Sequence, residues 1–386
     1  MRKRIYLDNA ATTPLDERVF QKMLPYIRDN FGNPSSIHSY GREVRIAIEE
    51  ARETIADIIN ADPSEIYFFS SGTEANNFAL FGIAKTEFQD SGKNKIISSK
   101  AEHKCVLEPI EQLAENGFNT NILEVLPDST VSPDTLSANI DSNASTVSLM
   151  HINNETGGIN QIKELAKIAH DAGAWFHTDA VQSFGKTGID VKDLGVDSIS
   201  VSAHKIFGPK GSAFTFAKSG TPLSPMIFGG SQERNRRGGT ENSAAIIGMA
   251  EAAKIAVNEM EQNYEFVKNL KSLFCERILN SGIEGVSLNS EEYFSPYIIS
   301  LTLTADVYNT DAEALLMYLD INGIAASNGA ACTSGTLKPS HVILASGKSV
   351  GEANGTIRFS LSPRNTDEEI KEATEIIIKM CRNFRL

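Results

Sequence analysis

Five short segments hold residues of kinds that do chemistry: Ser71-Gly-Thr-Glu74, Glu102-His-Lys104, His151-Ile-Asn-Asn-Glu155, Asp179-Ala-Val-Gln182 and Ser202-Ala-His-Lys205. Each follows a short apolar run of strand type. In parallel α/β sheets, ligands bind outside the carboxyl ends of the strands, so these segments would converge on one crevice. Lys205 follows Ser198-Ile-Ser-Val-Ser202, and an amine held there can form a Schiff base with a carbonyl compound. On spacing alone, a solvated lysine is the commoner outcome. Asp179 is the residue type that pairs with a pyridinium nitrogen, or that caps the next helix. Ser71, Gly72 and Thr73 precede a helical run from Glu74 to Ala84. Free N–H groups and hydroxyls at a helix start suit a phosphate, or make an ordinary cap.

Cys332 offers different chemistry. It lies in Ala325-Ala-Ser-Asn-Gly-Ala-Ala-Cys-Thr-Ser-Gly335, small residues with little to bury, which predicts a mobile segment. A thiol on such a segment can visit a bound substrate and carry cargo outward. The alternative, a small buried cysteine, lacks the apolar neighbours it would need. Cys105, Cys275 and Cys381 read as packing residues, although Cys105 follows His103-Lys104 closely. Four cysteines without a CxxC pair make neither a disulfide framework nor a metal site, so no metal is expected and a reducing cytosol fits.

The elements that must position these residues are legible as alternating patterns. Val44, Ile48, Ala51, Ile55 and Ile58 recur at helical spacing, predicting a helix over about 42–60. Strands are predicted at 66–69, 95–98, 146–152, 175–179, 198–202 and 213–216, with a helix from about Ile162 ending at Gly173. Strands separated by helices imply crossovers and a largely parallel sheet. Past residue 257 the texture changes: a helical stretch over about 244–280 leads to a strand at 297–303, and Thr366-Asp-Glu-Glu369 announces a terminal helix by its capping box. The expected organisation is a large cofactor-binding domain over 15–256, with 1–14 and 257–386 forming a smaller α/β domain that carries Cys332.

The charge balance, 36 basic against 49 acidic residues or −13, argues against direct nucleic-acid binding, although Arg234, Arg236 and Arg237 form a local basic patch. Met1-Arg-Lys-Arg4 is followed at once by Ile5-Tyr-Leu-Asp8, without an apolar signal region, and no stretch is long and apolar enough for a membrane span. A cytoplasmic enzyme is the expectation.

Taken in order, Tyr6-Leu-Asp-Asn-Ala-Ala-Thr-Thr-Pro14, Phe31-Gly-Asn-Pro-Ser35, the five segments above (the last extending to Gly211) and Arg237-Gly-Gly-Thr-Glu-Asn242 resemble the motif series of NifS/IscS-type cysteine desulfurases, within the class V aminotransferase family. The resemblance runs from about residue 5 to 380. It implies the fold type I architecture of pyridoxal 5′-phosphate enzymes: a large domain with a mainly parallel sheet and a smaller α/β domain. It gives Lys205 as the Schiff-base lysine, His103 as the ring stacked on the cofactor, Asp179 on the pyridine nitrogen and Gln182 on the phenolic oxygen. Gly72, Thr73, Ser202 and His204 would hold the phosphate. Thr240 would reach the phosphate of a neighbouring subunit, implying a homodimer with shared sites. Asn154 and Arg358, the latter in Thr356-Ile-Arg-Phe-Ser360, would hold the substrate carboxylate.

The implied reaction converts L-cysteine to L-alanine and leaves the sulfur on Cys332 as a persulfide for an acceptor protein, in iron–sulfur cluster assembly or tRNA thiolation. Two departures stand out: Ser231 replaces an expected third glycine in Gly229-Gly-Ser-Gln-Glu-Arg234, and the chain stops at Leu386, short of the tail by which longer members engage their scaffold. The rival readings are another class V enzyme (an aminotransferase or selenocysteine lyase) and a non-catalytic sulfur-relay subunit.

Overall fold

A computed structural model of the chain describes residues 4–289, 294–329 and 338–386. Its strands are β1 (Ile5–Tyr6), β2 (Ile66–Phe69), β3 (Lys95–Ser99), β4 (Asn119–Leu123), β5 (Ala144–Ser148), β6 (Trp175–Asp179), β7 (Ser198–Ser202), β8 (Ala213–Ala217), β9 (Val286–Leu288), β10 (Ile298–Leu303), β11 (Ile324–Ala325) and β12 (Thr356–Ser360). Seven of them form one sheet in the order β2-β8-β7-β6-β5-β3-β4. From β7 to β4 neighbouring strands are parallel, whereas β8 runs antiparallel to both β7 and β2. Parallel sheets need crossover helices on both faces, and those helices bury the strands; every residue of β5 and β7 is buried.

All three serines that make β7 look half polar are buried, and Ser200 pairs across the strands. His177 on β6 bridges Ser148 of β5 (2.9 Å) and Ser200 of β7 (3.0 Å). Burial pushes this imidazole down to about 3, so it stays neutral within the sheet.

One apolar core packs the seven-stranded sheet against its helices and draws on residues from Val19 to Ala253. A second core joins Ile5 and Leu7 to residues between Val267 and Cys381. It is built on an antiparallel sheet β12-β10-β9, with β1 pairing β11 in parallel alongside. The C-terminal helix, Asp367–Asn383, starts at the capping box predicted at Thr366.

Three expectations shift. The strand expected over 146–152 ends at Ser148, because the chain then turns: Ile152 pairs with Ile159, and the amide of His151 bonds the carbonyl of Asp179. The helical stretch over 244–280 is two helices, Ser243–Asn258 and Met260–Leu279, that meet at Glu259. Strand β4 was not anticipated, since Asn-Thr-Asn-Ile-Leu carries no apolar run. No helix among the described residues is long and apolar enough to cross a membrane.

Candidate active site

A cavity of about 380 Å³ opens at the carboxyl ends of β5, β6 and β7, lined by Gly72, Thr73, His103, Asn154, Asp179, Gln182, Ser202, His204, Lys205 and Arg358. These residues, separated by up to several hundred positions in sequence, meet there because each follows a strand of the same sheet or, for Arg358, lies on β12. Thr240 is not among them: it is exposed, outside this cavity. Cys332 lies outside the described residues.

Helix Gly72–Ser91 starts at the cavity, with Ser71 capping the amide of Glu74 at 3.1 Å. Ser71, Gly72 and Thr73 at its start line the cavity together with Ser202 and His204, and the free N–H groups of a helix start suit an anion. A Cβ on Gly72 would approach Val181 at 3.2 Å and Ser202 at 3.4 Å, so glycine lets the helix start close against the β6 and β7 ends. Burial, reinforced by Lys205 and Lys210, pushes His204 down to about 4; its Nδ1 sits 3.1 Å from the Thr12 hydroxyl.

Asp179 is held from two directions. Its Oδ1 accepts the amide of Val181 at 2.9 Å, and its Oδ2 accepts Asn76 at 2.7 Å. Asp179 thus caps the following turn while lining the cavity. His103 starts its own helix, and its Nδ1 accepts the Cys105 amide at 3.1 Å. Burial holds its pKa below the ordinary value, although Asp179 opposes the shift. Beneath it, buried Glu102 ties the β3 end to the segment after β5, its Oε1 accepting Ser99 (2.9 Å) and the Met150 amide (3.0 Å). Burial pushes that carboxyl up to about 8.

The Lys205 amine donates to the carbonyls of Ala10 and Ala11, both at 2.7 Å. Burial and the Arg358 charge push it down to about 8, close to the range where an amine becomes a nucleophile and a base at neutral pH. Arg358 reaches across from the second core and is already engaged, with Asp8 at 2.9 Å and the Asn154 carbonyl at 2.9 Å. Its Nε and the side-chain oxygen of Asn154 are buried without a partner among the described residues. Groups of this kind cost free energy unless a ligand satisfies them.

Three contributors escaped the sequence reading. Cys105, assigned to packing, does contact an apolar cluster, but its thiol also lines the cavity, 2.9 Å from His103 Nδ1 and 3.0 Å from Asn76. Its place one residue past His103-Lys104 was the available signal. Asn76 carries no signal beyond lying one turn into a helix that starts at the site. Asp8 sits in the Tyr6–Pro14 segment, but nothing in that segment identifies Arg358 as its partner.

The cavity fits pyridoxal 5′-phosphate: a helix N-terminus with hydroxyls for a phosphate, the Asp179 carboxylate, the Lys205 amine of lowered pKa, and an unpaired Arg358 Nε–H suited to a substrate carboxylate.

The family model "Aminotransferase class-V" matches residues 5–372. A cysteine desulfurase IscS of Dictyoglomus turgidum is 43% identical over 100% of this chain and 96% of its own length. A putative cysteine desulfurase IscS 1 of Bacillus subtilis is 41% identical over 99% of this chain and 100% of its own. Among solved structures, a NifS-like protein superposes with a TM-score of 0.90 at 34% identity, covering 99% of this chain and 100% of that one. SspA in complex with cysteine superposes at 0.81 with 33% identity, covering 94% and 100%. Similarity that extends through both cores and every segment of the cavity settles the family: the chain belongs to the pyridoxal-phosphate-dependent class-V aminotransferases, among the cysteine desulfurases.

Proposed function

We propose that this protein removes sulfur from L-cysteine, releasing L-alanine and leaving a persulfide on Cys332. The observation that carries this reading is the convergence of Lys205, Asp179, His103 and Arg358 on one cavity. The solved SspA–cysteine complex, similar along nearly the whole chain, supports cysteine as the substrate.

Bound in the cavity, pyridoxal phosphate supplies an electron sink for the charge left at the substrate Cα when its proton departs. Gly72, Thr73, Ser202 and His204 would hold its phosphate, Asp179 its ring nitrogen and Gln182 its phenolic oxygen, with His103 stacked on the ring. Arg358 orients the substrate carboxylate through its Nε–H, which has no partner among the described residues, and Asn154 through its side-chain NH2. Lys205 takes the Cα proton, for which an amine of pKa about 8 is suited. His103 manages the proton on the substrate thiol. The Cys332 thiolate attacks the substrate sulfur; the S–S bond forms as the Cβ–S bond breaks, and Cβ gains the proton that completes alanine. An acceptor protein then takes the outer sulfur, for iron–sulfur cluster assembly or tRNA thiolation, without direct contact with nucleic acid.

We read residues 15–256 as the cofactor-binding domain, and 1–14 with 257–386 as the smaller one; the two apolar cores support this division. We also propose a cytosolic homodimer in which Thr240 completes the neighbouring site. Its exposure, together with exposed Phe31, Ile37 and Phe228, supports a surface that a second copy covers.

The decisive experiment is Cys332→Ser. The variant should keep the yellow cofactor but form no protein persulfide and, without an added thiol acceptor, no alanine beyond background. Alanine and persulfide at the wild-type rate would reject the role given to Cys332.

A further inference from the structure

Lys186 is a buried ionisable group that the mechanism above leaves unused. It follows β6 in the chain and is only 9% exposed. Its Nζ donates to Gln182 Oε1 at 2.9 Å and lies 5.4 Å above the Tyr297 ring, which belongs to the second core. A cavity of about 280 Å³, distinct from the cofactor cavity but sharing Lys205 with it, runs along the amine. Apart from Lys205, the other charged side chains on that cavity satisfy one another: Asp16 pairs with Arg18 and Arg364, both at 3.0 Å, and Arg18 pairs with Glu259 at 2.5 Å. The charges that act on Lys186 are those of Lys205 and Arg358, both cations. Burial, with those two charges, pushes its amine down to about 7.

The hydrogen bonds around Gln182 leave its amide one orientation. Lys186 presents a donor to one end. The carbonyl of Ala10, which can only accept, stands 2.9 Å from the other end, so that end must be the NH2. Turning the amide over would set carbonyl against carbonyl and NH2 against amine. The same Ala10 carbonyl accepts Lys205 at 2.7 Å, so the Gln182 NH2 and the Lys205 amine are held side by side.

We propose that Lys186 is a positioning residue for the cofactor, locking the Gln182 NH2 toward the phenolic oxygen and setting a second ionisable amine behind Lys205. The inference rests on the reading that Lys205 and Gln182 hold pyridoxal phosphate. Both effects act in one direction: an amide donor stabilises a phenolate, and a nearby cation opposes protonation at the lysine nitrogen. Lys186 therefore keeps the protonation midpoint of the bound cofactor low.

The test is a pH titration of the visible absorbance of the cofactor-loaded protein, compared with Lys186→Met, Lys186→Arg and Lys186→Gln. Methionine removes donor and charge, and its midpoint should rise by about one pH unit, a tenfold change in proton affinity. Arginine keeps both, the adjoining cavity has room for it, and its midpoint should stay near the wild-type position. Glutamine keeps a neutral donor and should fall between them. A methionine midpoint at the wild-type value, or equal shifts for methionine and arginine, overturns the inference. A wild-type protein that binds no visible cofactor would instead remove the functional reading beneath it.

Discussion

Because His103 Nδ1 already accepts the Cys105 amide, the proton of the neutral ring sits on Nε2. The Cys105 thiol faces the same Nδ1 at 2.9 Å while Asn76 donates to its sulfur, so the thiol meets the ring as a donor and reinforces that tautomer. Burial and the charge of Asp179 hold the Cys105 thiol well above its ordinary pKa, which makes it a hydrogen-bonding group and not a second nucleophile. Removing it takes away support for the neutral ring and should raise the His103 pKa. Cys105→Ala is expected to shift the acid limb of the activity–pH profile upward by about half a unit. An unmoved limb would mean that Cys105 does not tune His103. The residues that end strands were legible because a polar side chain directly after an apolar run is conspicuous. Cys105, Asn76 and Lys186 were not, since their roles depend on neighbours that only the fold supplies.

At the scale of elements, the segment leading into Thr240 is anchored by a buried ion pair, with Arg234 and Arg237 adding contacts to Ile66 and Glu74. Glu233, Arg234 and Asn235 adopt φ of 44°, 54° and 62°, left-handed values costing about 1–3 kcal/mol each for side chains of this kind. What holds them is Glu233, whose carboxylate accepts Arg52 at 2.8 Å and 2.9 Å and the Phe68 amide at 2.7 Å. With Arg52 and Glu233 side chains only 4% and 3% exposed, neither charge has water to fall back on. Arg52→Met should lower stability by about 3–5 kcal/mol, read as an earlier urea midpoint. An unchanged midpoint would show that the segment needs no such anchor. None of this was visible in sequence, where Arg52 falls on a helix and Glu233 in a glycine-rich run. The strands of the central sheet were visible, because burial on both faces makes each an apolar or small-residue run, and β4, half exposed, is the exception that follows from the same rule.

At the scale of the whole molecule, Phe31, Ile37 and Phe228 are large apolar side chains 75%, 90% and 83% exposed, the kind of surface that a partner would cover. If a second copy covers them, Phe228→Asp should shift the wild-type dimer mass measured by light scattering toward that of the single chain. It should also weaken cofactor retention, because Thr240 of each copy would leave its neighbour's site. A wild-type protein that runs as a monomer would reject the shared-site arrangement.

The position of β1 has a consequence for how the protein is made. Ile5 pairs with Ile324, and the Asn9 side chain bonds the carbonyl of Ser360, 351 residues later. At about 5–20 residues per second, a ribosome needs roughly 20–70 s to deliver that partner. Through that interval the seven-stranded sheet can assemble, but Ile5 and Leu7 have no second core to enter. The Ala10 and Ala11 carbonyls that receive Lys205, and Arg358, the partner of Asp8, fall into place last. A nascent chain therefore carries Lys205 well before the segment around Arg358 and Ser360 emerges to complete the cavity.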